Sequence, residues 1–465
     1  MVIFILALSA LLLGYFIYSR VVEKIFGADY LRPTPAISKC DNVDFMPMSG
    51  WRVFLIQFLN IAGLGPVFGA ILGALYGPVA LLWIVLGSIF AGGVHDYLSG
   101  MMSLREDGAS LVKVVEKYMG SGMRNIFLFL MTGFLLLLGA VFAMSPAHML
   151  ADLTSSDFAY WIAAIFAYYF LATMLPIDKI IGRFYPFFAL MLILVTLALM
   201  GVLFIEGRSF YPDMSLANQH PAKLPIFPLM FVTIACGALS GFHATQSPLM
   251  ARCLKNEKYG RAIFYGAMIT EGVVALIWAT LGMAFYQGSA GLFAVVNQSG
   301  PAGVVSQVSQ GLLGSIGGSL AILAVVILSI TSGDTAFRSA RLTISDYVLG
   351  KADFKKRLII SVLVLGGGIL LSFFDLTTIW TYFGWSNQCL ACIVLWTASF
   401  YLRIKKRCYV ITLIPAMFMT AVCVTYIMYD KIGFRMDINL SCVVGVIAAL
   451  VSGILFVMHK LKKEN

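Results

Sequence analysis

Glu271 stands ten residues past Arg261 in an otherwise apolar stretch, a separation that places it near the middle of a membrane. A carboxylate at that depth is expensive and its neutral form is the cheaper one, which suits a site that takes up and releases a proton; the alternative is a protonated glutamate locked between helices. His243, in Ser240-Gly-Phe-His-Ala-Thr-Gln-Ser-Pro248, could exchange a proton near neutral pH, although a histidine on an apolar helix also serves as hydrogen-bonded core. Ser332 and Asp334, in Ser329-Ile-Thr-Ser-Gly-Asp-Thr-Ala-Phe-Arg338, offer hard oxygen ligands for Na⁺, or Asp334 pairs with Arg338 at i, i+4 on a cytoplasmic rim. Adjacent His95 and Asp96 could relay protons or bind a metal. Neighbours on a helix face different ways, so a metal there needs ligands from other segments, and none is expected. Asn387 and Gln388 bring two amides near the midplane, to line a polar path or to bridge helices.

Two glycine-interrupted segments frame these groups: Ile61-Ala-Gly-Leu-Gly-Pro66 and Ile234-Ala-Cys-Gly-Ala-Leu-Ser-Gly-Phe-His243. Backbone groups freed by a helix break cost several kcal/mol each in hydrocarbon, so a break survives only against protein or a watery cavity. Glycines at 63, 65, 69 and 73 could instead form a close-packing helix face. Pro66 favours the break, because it removes a donor and disfavours helical geometry at Gly65. The gain from a break is a set of amides at the start of a half-helix, which present positive dipole ends to an anion such as a substrate carboxylate. The backbone of Ala62, Gly63, Leu64 and Gly65 and that of Gly237 to Gly241, with the side chains of Ser240 and His243, are the candidate binding groups.

The elements that hold these residues are membrane spans. The chain is 60% hydrophobic and 12% charged, with no low-complexity linker, so it reads as one integral membrane domain. Its net charge of +10 does not point to nucleic acid, because 28 of the 32 Lys and Arg residues fall in alternate loops between thirteen expected spans. Those spans lie near residues 2–20, 53–75, 77–103, 124–147, 157–175, 184–206, 226–247, 262–287, 313–333, 358–374, 377–401, 408–429 and 438–459. The positive-inside rule puts the amino terminus outside and the carboxyl terminus in the cytoplasm. The first apolar stretch lacks a basic n-region and a cleavage site and reads as a retained span. The eight cysteines, including Cys389-x-x-Cys392, read as packing residues.

The spans group as one extra amino-terminal helix (1–22), five (51–206), five (226–401) and two carboxyl-terminal helices with a cytoplasmic tail (408–465). Five being odd, the second five must enter the membrane in the opposite sense, which is the condition for an inverted repeat. Both breaks fall in the first helix of their five, ten residues from its start. Asp107 is expected to cap a short in-plane helix burying Leu111, Val115 and Tyr118. The uncharged segment 288–312 is expected to be an extracellular loop, with or without a lid role.

With these motifs, Arg32-Pro-Thr-Pro-Ala36, Met250-Ala-Arg-Cys253, Ser332-Gly-Asp-Thr-Ala-Phe-Arg-Ser-Ala-Arg341 and Tyr382-Phe-Gly-Trp-Ser-Asn-Gln388 complete a pattern that resembles the carbon starvation protein A family of bacterial inner-membrane transporters. The resemblance runs from residue 32 to about 400. It implies an all-α membrane fold of the LeuT type, in the amino acid, polyamine and organocation superfamily, and uptake of peptides or pyruvate during carbon limitation, with proton coupling in the pyruvate carriers. Long members of the family carry extra sequence toward the carboxyl end that this chain lacks.

The reading is a multi-pass plasma-membrane secondary transporter that imports a small carboxylate-bearing nutrient, namely a short peptide, an amino acid or a 2-oxo acid such as pyruvate. It works by alternating access and needs no cofactor beyond a coupling H⁺ or Na⁺. Glu271 and His243 handle the proton; Ser332 and Asp334 serve a cation or gate. A sodium-coupled symporter is the same-class rival, and a membrane-embedded nutrient sensor the rival from another class. An enzyme is not expected, since the five His and scattered Cys form no recognisable nucleophile-and-base or metal constellation.

Overall fold

A computed structural model describes residues 1–41, 45–174, 177–211, 213–345 and 354–459. Lys351 and the tail lysines 460, 462 and 463, which belong to the expected cytoplasmic charge, lie outside the described residues. The described chain is helical apart from one bridge between Met48 and Leu254. Its helices are α1 (Val2–Phe26), α2 (Gly50–Ala62), α3 (Gly65–Tyr76), α4 (Val79–Arg105), α5 (Leu111–Met119), α6 (Ser121–Thr154), α7 (Phe158–Met174) and α8 (Ile177–Ile205). They continue with α9 (Gly241–Ala251), α10 (Glu257–Phe285), α11 (Ser289–Ile344), α12 (Phe354–Leu371), α13 (Leu376–Ile404), α14 (Val410–Tyr429) and α15 (Ile438–Met458).

The expected span 226–247 is interrupted by the irregular run 234–240. Among the described residues eight helices are long and apolar enough to cross a membrane, or nine when the bent pair α2 and α3 counts as one span. The others are shorter, as α7 and α12 are, or carry more polar residues, as α13 does. The outward faces of α1, α8, α12 and α15 are dense with exposed Leu, Ile, Val and Phe, the surface that lipid requires.

Packing divides the helices. The pair α2 and α3 lies with α4, α9 and α10, and α1 packs onto α4 and α10; α6 runs along α11 with α7, α8 and α12 beside it. The last pair, α14 and α15, packs on itself and on α13. Asp375 and Asp437 accept amide hydrogen bonds at the starts of α13 and α15, as N-caps do.

Two local expectations need correction. The short helix α5 does bury Leu111, Val115 and Tyr118, but Ser110 precedes its first turn. Asp107 has a left-handed φ of 59° and reaches Lys39 at 3.0 Å instead. Segment 288–312, expected as a loop, is helical and belongs to α11, which turns sharply at Gly300 (φ 65°) and Gly314 (φ 69°). Those glycines supply the left-handed corners; between them the Val, Ala and Gln residues sustain helix better than a glycine count suggests.

Candidate functional site

The first break is a bend of 55° between α2 and α3. Gly63 there has φ 44° and ψ −157°, a conformation that L side chains avoid. The amides of Gly63, Leu64 and Gly65 have no partner among the described residues, and Pro66 carries none. The break is completely buried.

The second break is the irregular run from Ile234 to Ser240 before α9, with Gly237 at φ 94°. Side chains from other helices hold its carbonyls. Trp83 Nε1 donates to Ile234 O (3.3 Å), Ser88 Oγ to Gly237 O (2.9 Å), and Gln388 Nε2 to Phe231 O and Leu239 O (3.2 Å each). Asn387 caps α9: the Phe242 amide donates to its Oδ1 at 2.8 Å, and its Nδ2 donates to Ser240 Oγ at 3.0 Å. Asn387 and Gln388 therefore bridge helices, and Ser240 is engaged by Asn387. Of the two uses foreseen for that pair, the structure realises the bridging one.

The breaks touch. Gly65 sits against Cys236, Gly69 faces the Thr233 carbonyl, Gly73 faces Ile234, and a side chain built on Gly237 would approach Pro66. Glycines 65, 69 and 73 are thus a close-packing face as well as part of a broken helix; the two readings coincide because α3 is the helix the break releases.

The ionisable residues, scattered in sequence, form one buried chain. His95 Nδ1 lies 2.7 Å from Asp96 Oδ1, Asp96 Oδ2 lies 2.7 Å from His243 Nδ1, and His243 Nε2 lies 3.2 Å from Glu271 Oε2. All four side chains are fully buried, and the Glu271 carboxyl faces His243 Nε2 and the Gly237 amide. Asp96 holds the His243 ring with Nε2 turned to Glu271, the arrangement by which a carboxylate orients an imidazole for proton exchange. The groups that converge with ion-like spacing are Cys236, His243 and Glu271, their ligand atoms within 4.8 Å of one another; His95 and Asp96 are not among them. Asp96 and Cys236 were the residues hardest to foresee. Asp96 needed the packing of α4 on α9, and Cys236 looked like any cysteine in a span.

Ser332 and Asp334 do not meet this chain. Ser332 Oγ reaches Leu59 O, in the last turn of α2, at 3.5 Å and faces Gly63. Asp334 is fully buried: Tyr185 donates to it at 3.2 Å and Arg338, its expected i, i+4 partner, approaches at 3.9 Å. Helix α11 continues past this pair to Ile344. In the same half-span as the first break, Gln57 and Asn60 bury four amide atoms with no partner among the described residues, a pair whose three-residue spacing on α2 was visible in the sequence but unused.

A membrane fold with two broken helices in contact beside a buried ionisable chain is the architecture of a secondary transporter. The structure superposes on a manganese transporter of Eremococcus coleocola (TM-score 0.56, 12% identity, 88% of this chain and 94% of that one). It also matches MHP1, a nucleobase-cation-symport-1 family transporter (TM-score 0.53, 15% identity, 88% and 91%). Both matches show the fold, which is of the LeuT type. The chain belongs to the family described as carbon starvation protein CstA, matched over residues 1–159, 143–299 and 283–426. An uncharacterized membrane protein of Haemophilus influenzae is 44% identical over 61% of this chain and 91% of its own length. The peptide transporter CstA of Bacillus subtilis is 26% identical over 89% and 87%. The pyruvate/proton symporter BtsT of Escherichia coli is 27% identical over 59% of this chain and 48% of its own length. These named relatives and structural neighbours are transporters, not enzymes.

Proposed function

We propose that the protein is a proton-coupled importer of a small carboxylate-bearing nutrient, a short peptide or a 2-oxo acid, serving cells short of carbon. The observation that carries this reading is the contact between a break with bare amides at Gly63–Gly65 and a second break that leads directly into His243 and Glu271. The amides receive the carboxylate; a proton on Glu271 neutralises a fully buried carboxylate, and its loss to His243 or to water resets the carrier. The relatives' names, a peptide transporter and a pyruvate/proton symporter, agree with this chemistry. On this reading the basic loops face the cytoplasm, the two five-helix units are inverted repeats, and α2, α3, α4, α9 and α10 rock against a scaffold of α6, α7, α8, α11 and α12. The test is uptake of labelled pyruvate and alanyl-alanine into proteoliposomes with an imposed pH gradient. Accumulation driven by the pH gradient is expected; accumulation that follows Na⁺ and ignores pH refutes proton coupling.

Sodium coupling keeps one specific support: Ser332 Oγ and the Leu59 carbonyl lie together at the end of α2, where hard oxygen ligands would receive the ion.

A further inference from the structure

A cavity of about 200 Å³ opens one helical turn from the breaks, toward the end of the molecule poor in Lys and Arg. Leu72 and Tyr76 of α3, Thr233 at the edge of the second break, and Trp380, Thr381 and Gly384 of α13 line it. Gly384 stands three residues before Asn387, a rise of about 4.5 Å along α13. The cavity is therefore within reach of a small solute held at the breaks. Tyr76, Trp380 and Tyr426 give it an aromatic lining, and the Trp380 ring is braced from behind by Phe383 at 5.3 Å. No Asp, Glu, Lys or Arg is among the described residues that line it. Its one imidazole, His220, accepts a hydrogen bond from the Ala222 amide at 3.2 Å and packs against Tyr76 at 4.8 Å. A separate void of about 30 Å³ lies beside α9, lined by Ala244, Thr245 and Pro248.

Resting on the transporter reading above, we propose that this vestibule is a specificity subsite: a substrate whose carboxylate is held at Gly63–Gly65 places an uncharged apolar or aromatic side chain against Trp380, and Thr381 and Gly384 set the depth available to it. A charged side chain would lose its hydration against a lining that offers no counter-charge, whereas an apolar one gains by leaving water. A solute of pyruvate's size leaves the subsite empty. Trp380 adds the face of an indole, which favours an aromatic guest.

Competition in proteoliposomes preloaded to take up labelled alanyl-alanine and, separately, labelled pyruvate tests this. Alanyl-phenylalanine or phenylalanyl-alanine is expected to compete at least tenfold better than unlabelled alanyl-alanine, about 1.4 kcal/mol, and alanyl-glutamate and alanyl-lysine tenfold worse. Thr381→Trp, which fills the vestibule, should shrink the preference for phenylalanine to within twofold. Trp380→Ala should shrink it too, and thermal unfolding of each purified variant separates a folded from a failed protein. Phenylalanine dipeptides that compete no better than alanyl-alanine, or a preference that survives in folded Thr381→Trp, overturn the subsite. If pyruvate accumulates and no dipeptide competes, the transporter stands and the subsite falls; if no solute accumulates, the transport reading itself fails and takes the subsite with it.

Discussion

The two breaks solve one physical problem in opposite ways. At the second, the carbonyls of Ile234, Gly237 and Leu239 accept from the side chains of Trp83, Ser88 and Gln388, and Asn387 caps the helix that follows. At the first, Leu59 O meets Ser332 at the long distance of 3.5 Å, and the amides of Gly63, Leu64 and Gly65 point at no protein acceptor among the described residues. Unpartnered buried amides cost free energy that only a ligand or water recovers. The first break is therefore read as the half that waits for substrate. The second is the half that protein side chains hold in shape, so that His243 keeps a fixed position between Asp96 and Glu271.

That contrast can be broken by substitution, and the largest effect belongs to the braced side. A Cβ at Gly241 meets the Asn387 carbonyl and, at 2.7 Å, the Ala391 amide. Backbone on both sides must shift, so Gly241→Ala should destabilise by about 3 kcal/mol. Thermal unfolding in detergent measures this, and an unchanged melting temperature would show that the second break is slack. Asn387→Ala removes the acceptor of the Phe242 amide and should cost about 1–3 kcal/mol, read the same way. On the bare side, Gly63→Ala forces an alanine to φ 44° and against Phe142 at 2.8 Å. The half-saturating substrate concentration should rise about tenfold, with a smaller loss of stability than Gly241→Ala. Equal affinity in wild type and Gly63→Ala would remove the first break from substrate binding.

The smallest effect lies outside the membrane, at His220. Burial lowers the pKa of His220 from its ordinary 6.5, so the neutral ring is favoured in the folded protein. Its contribution to stability is present above pH 6.5 and is lost as the pH falls from there toward the lowered value. Melting temperatures of wild type should drop by a few degrees between pH 7 and 5.5, and His220→Gln should flatten part of that drop. Identical slopes would assign the acid sensitivity to other groups.

Much of this was legible in the chain, for identifiable reasons. Gly-Leu-Gly-Pro and Ser-Gly-Phe-His announced breaks because glycine and proline act on the backbone locally. Counting residues from Arg261 put Glu271 well inside a helix, where it is fully buried, because a helix has a fixed rise. What counting could not supply was azimuth. His95 and Asp96 were read as facing apart, yet His95 turns back onto Asp96 while the second Asp96 oxygen reaches α9. The same limit left two uses open for Asn387 and Gln388, whose partners depend on how α13 meets the second break. Segment 288–312 misled through composition: its glycines act at two corners, leaving helix between them.

The central claim is that Glu271, set against His243 by the second break, couples proton movement to uptake of a solute held at the first. Uptake of labelled pyruvate or alanyl-alanine by proteoliposomes containing wild type or Glu271→Gln, with an imposed pH gradient, measures it directly. The account predicts gradient-driven accumulation by wild type. For Glu271→Gln it predicts loss of accumulation while exchange of internal for external solute persists. Full pH-driven accumulation by a folded Glu271→Gln variant would contradict it.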